Sequence, residues 1–516
     1  MLEKPWISRS IVCGAGAIGA LGFSPTFLLP ALILSLSVAW FLLDTTLEGP
    51  YPKRRAFWLG WWFGLGHFTV GLYWISYALT LDLATFGWLI PFSLFGLPAL
   101  LSFFTGSAFL LTAYWPYPGV SRAVAFAAFW VAIEWLRGHI FTGFPWNLTG
   151  YAWGFSLPMS QVASLVGVYG LSLIILLLAI SLQYLATRNL FHRVLVLTLY
   201  IGVALLFLWG HQRLHHPDVI AAPPHAIRLV QPNIPQSLKW DPLQREDHFR
   251  TLLTLTAAPS SLPLKAVIWP ESAIPFFLEH HPFRRIVIAD TLPRNAVLLM
   301  GADRRTPPEV SPVKIWNSLL VLDTDGNIVA HYDKTHLVPF GEYLPFRNLL
   351  NTLFGQGRLK NLTAGMLDFT PGEGPCCHML PKGLPPFTGL VCYEAIFPGN
   401  VINPLHPRPS WLVNVTNDGW YGNTSGPYQH LESARFRAIE EGIPLVRVAN
   451  SGISAVFNAY GQTVGSIALH TKGTLDVFLP SPTRVMPFYA QWGDWTTLAL
   501  LLLTLALAWS LSFKDA

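Results

Sequence analysis

The chain has 516 residues, of which 52% are hydrophobic and only 12% are charged, whereas a soluble domain carries roughly 25% charged residues. Its net charge is +5 and it contains no Lys/Arg-rich tract, which argues against nucleic-acid binding. The charge deficit is uneven, because residues 1–210 are almost free of Asp and Glu. We therefore expect a transmembrane bundle at 1–210, a water-facing domain at 211–488, and a transmembrane helix with a short tail at 489–516.

Apolar runs long enough to cross a bilayer core, which takes about 20 helical residues, occur eight times. They lie near 8–23, 26–43, 56–79, 88–114, 122–139, 161–186, 192–210 and 489–511. The first two are the least regular, because Pro25 and Pro30 lie around their junction. Gly14, Gly16 and Gly19 spell G-x-G-x-x-G, but no strand precedes them, so we interpret them as small residues for close helix packing.

Basic residues indicate the orientation of the bundle, because cytoplasmic loops collect Lys and Arg. If every second loop is inside, the residues that fall on the cytoplasmic side are Lys4, Arg9, Lys53, Arg54, Arg55, Arg122, Arg188, Arg193 and Lys514. The opposite loops hold Asp82 and, among basic residues, only Arg137. This alternation predicts cytoplasmic termini and places residues 211–488 outside, which is the periplasm in a bacterium with two membranes.

Two ionisable residues, Glu134 and Arg137, lie within the fifth apolar run in the string EWLRGHIFTGFPWN. Charged groups at such depth are functional candidates. Residues three apart on a helix can also simply neutralise each other, and both interpretations stay open. Trp146 and Trp153 nearby fit an aromatic belt at the outer interface. A transporter is not favoured, since no inverted repeat is evident.

The outer region is predicted to alternate strands and helices. Strand-like runs occupy 226–234, 265–273, 296–304, 317–326, 327–334, 387–397, 410–420, 444–452 and 453–461. Helices are expected at 242–257, 282–291 and 427–441, the last with Arg435, Arg437, Glu440 and Glu441 on its polar side. Asp325 and Gly326 form a hairpin turn signal between two strands. The pattern suits a layered α/β sandwich of about 250 residues.

Three chemically active residues lie at predicted strand ends: Glu271 in WPES, Lys334 in HYDKTHLVPFGEYLP and Cys392 in FTGLVCYEAIF. Each alone has an ordinary interpretation, as a first-turn acid, a solvated lysine or a buried thiol. Acyl transfer, however, needs a nucleophile, a base that shuttles its proton, and a positive group for the oxyanion. A nearby ammonium would also favour the thiolate. Their joint occurrence predicts an acyl-transfer site.

The strings WPES, YDKTHLVPFGEYLP and CYE, in this order, resemble the nitrilase superfamily. More closely, the chain is similar to the apolipoprotein N-acyltransferases over nearly its whole length, from FTGFPWN and LVQPNIPQSLKWD to WLVNVTNDGWYGNTSGPYQHLESARFRAIEEGIPLVRVANSG. The fold that this implies is a membrane bundle of about eight spans plus a nitrilase-like αββα sandwich. The resemblance implies Glu271 as general base, Lys334 as oxyanion stabiliser and Cys392 as nucleophile.

The same resemblance extends to residues around this set. It implies supporting roles for Glu342 and Glu394, and places Trp240 and Trp420 near the substrate entrance. We expect Tyr393 to have a supporting role as well, and Tyr343, Leu349 and Phe354 to belong to the entrance. The resemblance implies a reaction in two halves, with a membrane phospholipid as acyl donor and the diacylglyceryl-cysteine amine of an apolipoprotein as acceptor. We expect a monomer in the bacterial inner membrane that uses no cofactor or metal. The alternative is a membrane-tethered nitrilase-type amidase that acts on a small amide.

The stretch LPFRNLLNTLFGQG (344–357) carries apolar residues in a water-facing domain, namely Leu349, Leu350, Leu353 and Phe354. Such residues are expected to dip into the bilayer as an arm, with packing on the sandwich as the other possibility.

Cys376 and Cys377 are adjacent in a loop rich in Pro and Gly, where we expect two free thiols.

Overall fold

The computed structural model describes residues 5–185, 187–307, 309–354, 368–373 and 383–513, with side chains undescribed at Pro5, Leu350, Asn351, Leu353 and Phe354. The expectations for Cys376 and Cys377 lie outside the described residues. The chain divides into two compact units. One contains the residues up to Pro217, residues 439–441 and the residues from Met486 onward, and the other contains the remainder of 218–485.

The first unit is helical. Its helices before the second unit are α1 (Pro5–Gly19), α2 (Leu29–Leu47), α3 (Pro52–Gly71), α4 (Ile75–Thr80), α5 (Leu83–Phe86), α6 (Leu97–Tyr114), α7 (Val120–His139), α8 (Leu157–Ser160), α9 (Ala163–Ser181) and α10 (Leu190–His215). Within the described residues, five helical stretches are long and apolar enough to cross a membrane, namely Leu29–Leu47, Leu83–Tyr114, Val120–Thr142, Ala163–Tyr184 and Leu190–His215. Two shorter apolar helices cover Trp6–Gly22 and Trp495–Leu511. The region expected to form a membrane bundle therefore contains several long apolar helices.

Two details of the helical unit differ from the sequence-based expectations. The run 56–79 is not one helix, because α3 ends at Gly71 and α4 begins at Ile75. The two tryptophans that were assigned to an interfacial belt are buried, with Trp146 only 1% and Trp153 6% exposed. The Trp146 ring lies 4.6 Å from that of Trp74, so aromatic packing inside the unit accounts for its burial.

Close helix packing does explain Gly16. A Cβ at this position would lie 2.1 Å from the backbone oxygen of Phe63 in α3, so only glycine permits the observed approach of α1 and α3.

Glu134 and Arg137 both form hydrogen bonds with the segment that follows α7. Glu134 Oε1 accepts from the amide and the hydroxyl of Thr149, at 2.9 and 2.7 Å. Arg137 Nη1 donates to the carbonyls of Phe144 and Trp146, at 2.9 and 2.8 Å.

The described part of the second unit contains two β-sheets. Its strands are β1 (Ala226–Gln231), β2 (Leu264–Trp269), β3 (Val297–Arg305), β4 (Ile315–Leu322), β5 (Ile328–Asp333), β6 (Phe387–Val391), β7 (Trp411–Thr416), β8 (Leu445–Ala449), β9 (Ser454–Phe457), β10 (Thr463–Ile467) and β11 (Gly473–Phe478). One sheet has the order β11-β1-β2-β3-β4-β5 and the other has β10-β9-β8-β7-β6. The hairpin predicted at Asp325 and Gly326 is present, since β4 and β5 pair antiparallel around it.

Helices α11 (Arg245–Thr256), α12 (Pro282–Thr291), α13 (Arg347–Phe354) and α14 (Gly426–Glu441) complete this unit, and α15 (Phe488–Trp492) and α16 (Trp495–Leu511) follow it. Alternate residues of β1–β4 and β6–β9 form one apolar core between the sheets. Ile268 of β2 and Val413 of β7 are examples from the two sheets. The opposite face of the first sheet packs on α11 and α12, and that of the second on α14. This is the expected αββα sandwich.

The polar side of α14 is not a solvated surface. Arg437 and Glu440 have no exposed side-chain area, and Arg435 and Glu441 are also buried. Arg435 forms an ion pair with Glu432 one turn earlier. The charged residues on this side of α14 are therefore buried, and Arg435 is neutralised by an ion pair within the helix.

Candidate active site

The structure brings the three predicted catalytic residues together at one end of the sandwich. Glu271 lies two residues after β2, Lys334 directly follows β5, and Cys392 directly follows β6. All three are buried, with exposed fractions of 6%, 1% and 6%. The charges of Glu271 and Lys334 each shift the pKa of the Cys392 thiol, so the three groups act on one another electrostatically.

Cys392 occupies a sharp turn. Its φ of +51° lies in the left-handed region, which a residue with a side chain rarely adopts, and it begins the 3₁₀ turn Cys392–Ile396. Burial and the Glu271 charge raise the pKa of the thiol, the Lys334 charge lowers it, and the net pKa is about 12. At neutral pH the thiol is therefore protonated. The Lys334 charge does lower the pKa of the thiol, as expected, but burial and the Glu271 charge outweigh it.

The two carboxylate oxygens of Glu271 differ in their hydrogen bonding. Its Oε1 accepts a hydrogen bond of 2.7 Å from Asn317 Nδ2, while Oε2 is buried without a hydrogen-bond partner among the described residues. Gly301 of β3 makes room for the backbone here, because a Cβ at that position would lie 2.5 Å from the Glu271 Cα. A carboxylate oxygen that is buried and unpartnered is suited to accept a proton.

Lys334 forms a buried ion pair with Glu342, with Nζ 2.9 Å from Oε1. The second oxygen of Glu342 accepts from the Val338 amide at 2.8 Å, so the carboxylate is held at both ends. Burial lowers the pKa of Lys334, but the charges of Glu342, Glu271 and Cys392 outweigh it and raise the pKa above its usual value. Lys334 is therefore a fixed ammonium in the site, as an oxyanion stabiliser has to be.

Glu394 fixes the turn that carries the thiol. Its Oε2 accepts from the Val391 amide at 2.7 Å, and its Oε1 accepts from the amides of Thr335 and His336 and from the Tyr332 hydroxyl. This carboxylate therefore ties the loop after Lys334 to the turn at Cys392. Tyr393 is buried as well, and its ring packs on that of Phe397 at 5.0 Å.

Two polar residues of the site, the buried Lys239 and the half-buried Asp303, were not predicted from sequence. Lys239 donates to the backbone carbonyl of Glu271 at 3.1 Å, and burial lowers its pKa to about 8. Asp303 accepts from the Ser272 hydroxyl at 2.9 Å, and burial raises its pKa to about 6. The only sequence signal for Lys239 was its position beside Trp240 in LVQPNIPQSLKWD.

A second unpredicted group lies behind the thiol and consists of Asp418, His430 and Arg447, none more than 2% exposed. Arg447 Nη2 donates to both oxygens of Asp418, at 2.9 and 2.7 Å. His430 Nδ1 lies 2.9 Å from Asp418 Oδ1, and its Nε2 donates to the Cys392 carbonyl at 3.1 Å. Asn414 Nδ2 donates to the same carbonyl at 3.3 Å. The strained turn is thus held from behind by hydrogen bonds.

Comparison with known protein families shows which family the chain belongs to. The family model for the apolipoprotein N-acyltransferase N-terminal domain matches residues 15–181, and that for carbon-nitrogen hydrolase matches residues 226–483. Proteins named apolipoprotein N-acyltransferase from Rhodopseudomonas palustris and Bradyrhizobium diazoefficiens are 40% and 41% identical, each over 98% of this chain and 96% of the relative. One from Rickettsia bellii is 35% identical over 97% and 96%. The chain belongs to the apolipoprotein N-acyltransferase family.

Solved structures similar to this family member include an amidase from Nesterenkonia sp. AN1, with 21% identity and a TM-score of 0.37 over 53% of this chain and 95% of that one. Another is XC1258 from Xanthomonas campestris, a CN-hydrolase superfamily protein, with 22% identity and a TM-score of 0.35 over 50% and 91%.

The residues that were predicted to form the substrate entrance differ in exposure. Trp240 is 44% and Leu349 57% exposed, whereas Tyr343 and Trp420 are half-buried. The side chain of Phe354 lies outside the described residues. Two further exposed aromatic residues close to this segment, Phe340 at 61% and Phe346 at 80%, were not singled out from sequence.

Proposed function

We propose that this membrane enzyme transfers a fatty acyl chain from a phospholipid to the N-terminal amine of the diacylglyceryl-cysteine of apolipoproteins, through a thioester on Cys392. One observation carries the proposal: a buried thiol, a carboxylate with an unpartnered oxygen and a fixed ammonium lie together. The near-full-length relatives named apolipoprotein N-acyltransferase support this substrate class over the small-amide alternative.

In the first half-reaction, Glu271 takes the proton of the Cys392 thiol. The sulfur attacks the ester carbonyl of the phospholipid, and the Lys334 ammonium stabilises the oxyanion. The carbon–oxygen bond to glycerol then breaks, and Glu271 returns the proton to the departing oxygen. The products are a Cys392 thioester and a lysophospholipid.

In the second half-reaction, the neutral amine of the diacylglyceryl-cysteine attacks the thioester carbonyl. Lys334 again stabilises the oxyanion, and Glu271 accepts the proton that the amine loses. Collapse breaks the carbon–sulfur bond, and the proton from Glu271 restores the thiol. The site ends as it began, so the same three residues serve both halves.

The proposal extends to topology, because both substrates are membrane lipids or lipid-anchored. Residues 211–488 would face the periplasm and both termini the cytoplasm, with residues 1–210 and 489–516 in the inner membrane. The distribution of Lys and Arg in the loops supports this orientation. We propose that the chain acts as a monomer.

Mass spectrometry of the intact purified protein tests the proposal. Incubation with phospholipid vesicles should add the mass of one acyl chain, and peptide mapping should place it on Cys392. Neutral hydroxylamine should remove the adduct, since it cleaves thioesters. The Cys392→Ser variant should show no such labile adduct and no transfer activity, because a hydroxyl ionises far less readily than a thiol.

A Cys13→Ser variant is the matched control, since Cys13 lies in α1 and forms no disulfide in the described part of the chain. It should acquire the adduct like the parent. An unmodified parent protein, or full transfer activity in Cys392→Ser, would contradict the proposal. Hydrolysis of a small amide without any acylation by phospholipid would favour the amidase.

A further inference from the structure

The Thr416 hydroxyl lies between the nucleophile and a buried carboxylate. Thr416 is the last residue of β7 and has no exposed side-chain area. Its Oγ1 lies 3.3 Å from Cys392 Sγ and 3.2 Å from Asp418 Oδ1. A hydroxyl has a single proton to donate. It can therefore serve only one of these two acceptors at a time.

Asp418 is a permanent acceptor for this proton. Burial raises the pKa of its carboxyl, but the Arg447 charge and the His430 hydrogen bond outweigh burial and hold the pKa at about 2. Both of its oxygens receive hydrogen bonds from Arg447. Asp418 therefore stays ionised and satisfied even when the Thr416 proton turns away from it.

The sulfur changes its demand for a hydrogen bond during catalysis. A neutral thiol or thioester sulfur is a weak acceptor, whereas a thiolate is a strong one. The ionisable groups whose charges act on the sulfur are Glu271, Lys334, Asp418, Lys239 and Tyr421. The Thr416 hydroxyl is the group for which a hydrogen bond to the sulfur itself is observed.

We propose that Thr416 is a further catalytic residue, whose hydroxyl donates to Asp418 while the sulfur is neutral and turns to donate to the sulfur when the thiolate forms. The proposal rests on the proposed role of Cys392 as nucleophile. The hydroxyl proton is never transferred, so the proton balance between the thiol and Glu271 is unchanged. In every state the hydroxyl has an acceptor, so no buried donor is left unpaired.

Two substitutions at one position separate this role from packing. Thr416→Val replaces the hydroxyl by a methyl group of similar size, and Thr416→Ser keeps the hydroxyl while removing a methyl group. Thr388→Val is the matched control, because Thr388 is a buried threonine on the neighbouring strand β6. All variants are made in the full-length chain with Cys13, Cys376 and Cys377 replaced by alanine.

The measurement is the rate of Cys392 alkylation by iodoacetamide against pH, followed by mass spectrometry. Loss of a hydrogen bond to the thiolate should move the Thr416→Val profile to higher pH and slow alkylation at neutral pH by roughly tenfold, as expected for a charge-assisted bond. Thr416→Ser and Thr388→Val should follow the parent profile. Formation of the acyl adduct from phospholipid should slow in parallel in Thr416→Val alone.

An alkylation profile of folded Thr416→Val that matches the parent would overturn the proposal, even if its melting temperature were lower. If Thr416→Val does not fold, Thr416→Ala replaces it, and the same unchanged profile would be decisive. Alkylation reports on the thiolate without any substrate. A parent protein that is alkylated normally but never acylated would therefore contradict the proposed function and leave the role of Thr416 testable.

Discussion

In the proposed mechanism, Cys392 and Glu271 share the acid–base work of the site, and their environments suit them to it. The thiol is buried and its pKa is raised to about 12, so a free thiolate is rare at neutral pH. The unpartnered Oε2 of Glu271 is the group suited to remove its proton. The proposed mechanism therefore couples ionisation of Cys392 to protonation of Glu271, and it forms no reactive thiolate when no substrate is bound.

We predict that the ion pair of Lys334 and Glu342 sets the upper pH limit for activity. Because the Glu342 charge raises the pKa of Lys334, Glu342→Gln should lower that pKa and make the ammonium disappear at lower pH. The alkaline limb of the kcat/KM profile should therefore shift downward. Glu309→Gln is the control, because it removes the charge of an exposed glutamate, and it should keep the parent profile. An unshifted alkaline limb in Glu342→Gln would show that Lys334 does not control it.

Lys239 should give a pH-dependent stability. Its pKa falls from 10.5 to about 8 on folding, so between these pH values the unfolded chain binds more protons than the folded one. The stability of the parent relative to Lys239→Met should therefore rise across this window, by on the order of 3 kcal/mol. Melting temperatures in detergent at pH 7.5 and 10 measure the difference, and a constant gap would refute this account of Lys239.

Sequence reasoning singled out Glu271, Lys334 and Cys392, which the structure brings together, because strand ends and their flanking strings mark them locally. It did not find Thr416, Asp418 or the other residues of the supporting network. Their roles depend on which strands become neighbours, and β6 and β7 pair in a register that the string alone does not specify. Buried polar residues also look like surface residues in a sequence, because their partners are distant along the chain.

At the scale of elements, apolar patterning was a good guide where both faces of a strand are buried. All six residues of β7 are buried, and the run 410–420 was recognised as a strand. The edge strands β10 and β11 were missed, because both are largely unburied and polar residues such as Ser466 and Asp476 interrupt the apolar pattern. The helix α12 was predicted with its observed bounds, since Pro282 marks its first turn.

The segment at α13 gives a test of membrane entry by the substrate. Phe346 and Leu349 are 80% and 57% exposed, so a double Phe346→Ser/Leu349→Ser variant should keep the parent melting temperature. We expect acylation from vesicles to slow by roughly tenfold or more, because each apolar CH₂ withdrawn from lipid costs about 0.8 kcal/mol. Alkylation of Cys392 by iodoacetamide should not change.

The matched control for this arm is Leu405→Ser, since Leu405 is 88% exposed in the loop after β6. It should leave acylation from vesicles unaffected. Equal acylation rates in the arm variant and the parent would argue against lipid entry at α13. A lower melting temperature of the arm variant would instead indicate packing on the domain.

At the scale of the whole molecule, the proposed orientation decides which lipoproteins the enzyme can reach. A reporter enzyme that is active only outside the cytoplasm, inserted in the loop 306–314 between β3 and β4, should be active. The same reporter inserted at 187–189, before α10, should be silent, because Arg188 marks that loop as cytoplasmic. The reverse pattern would invert the topology and exclude periplasmic substrates.

The central claim is that one acyl chain passes from phospholipid to amine by way of Cys392, and a single-turnover chase tests it most directly. The enzyme is loaded from phospholipid with a labelled acyl chain, freed of lipid, and mixed with a diacylglyceryl-cysteine peptide. The account predicts that label leaves Cys392 at the rate at which N-acylated peptide appears, in equal amounts. Labelled peptide formed while the label on Cys392 stays constant would contradict it.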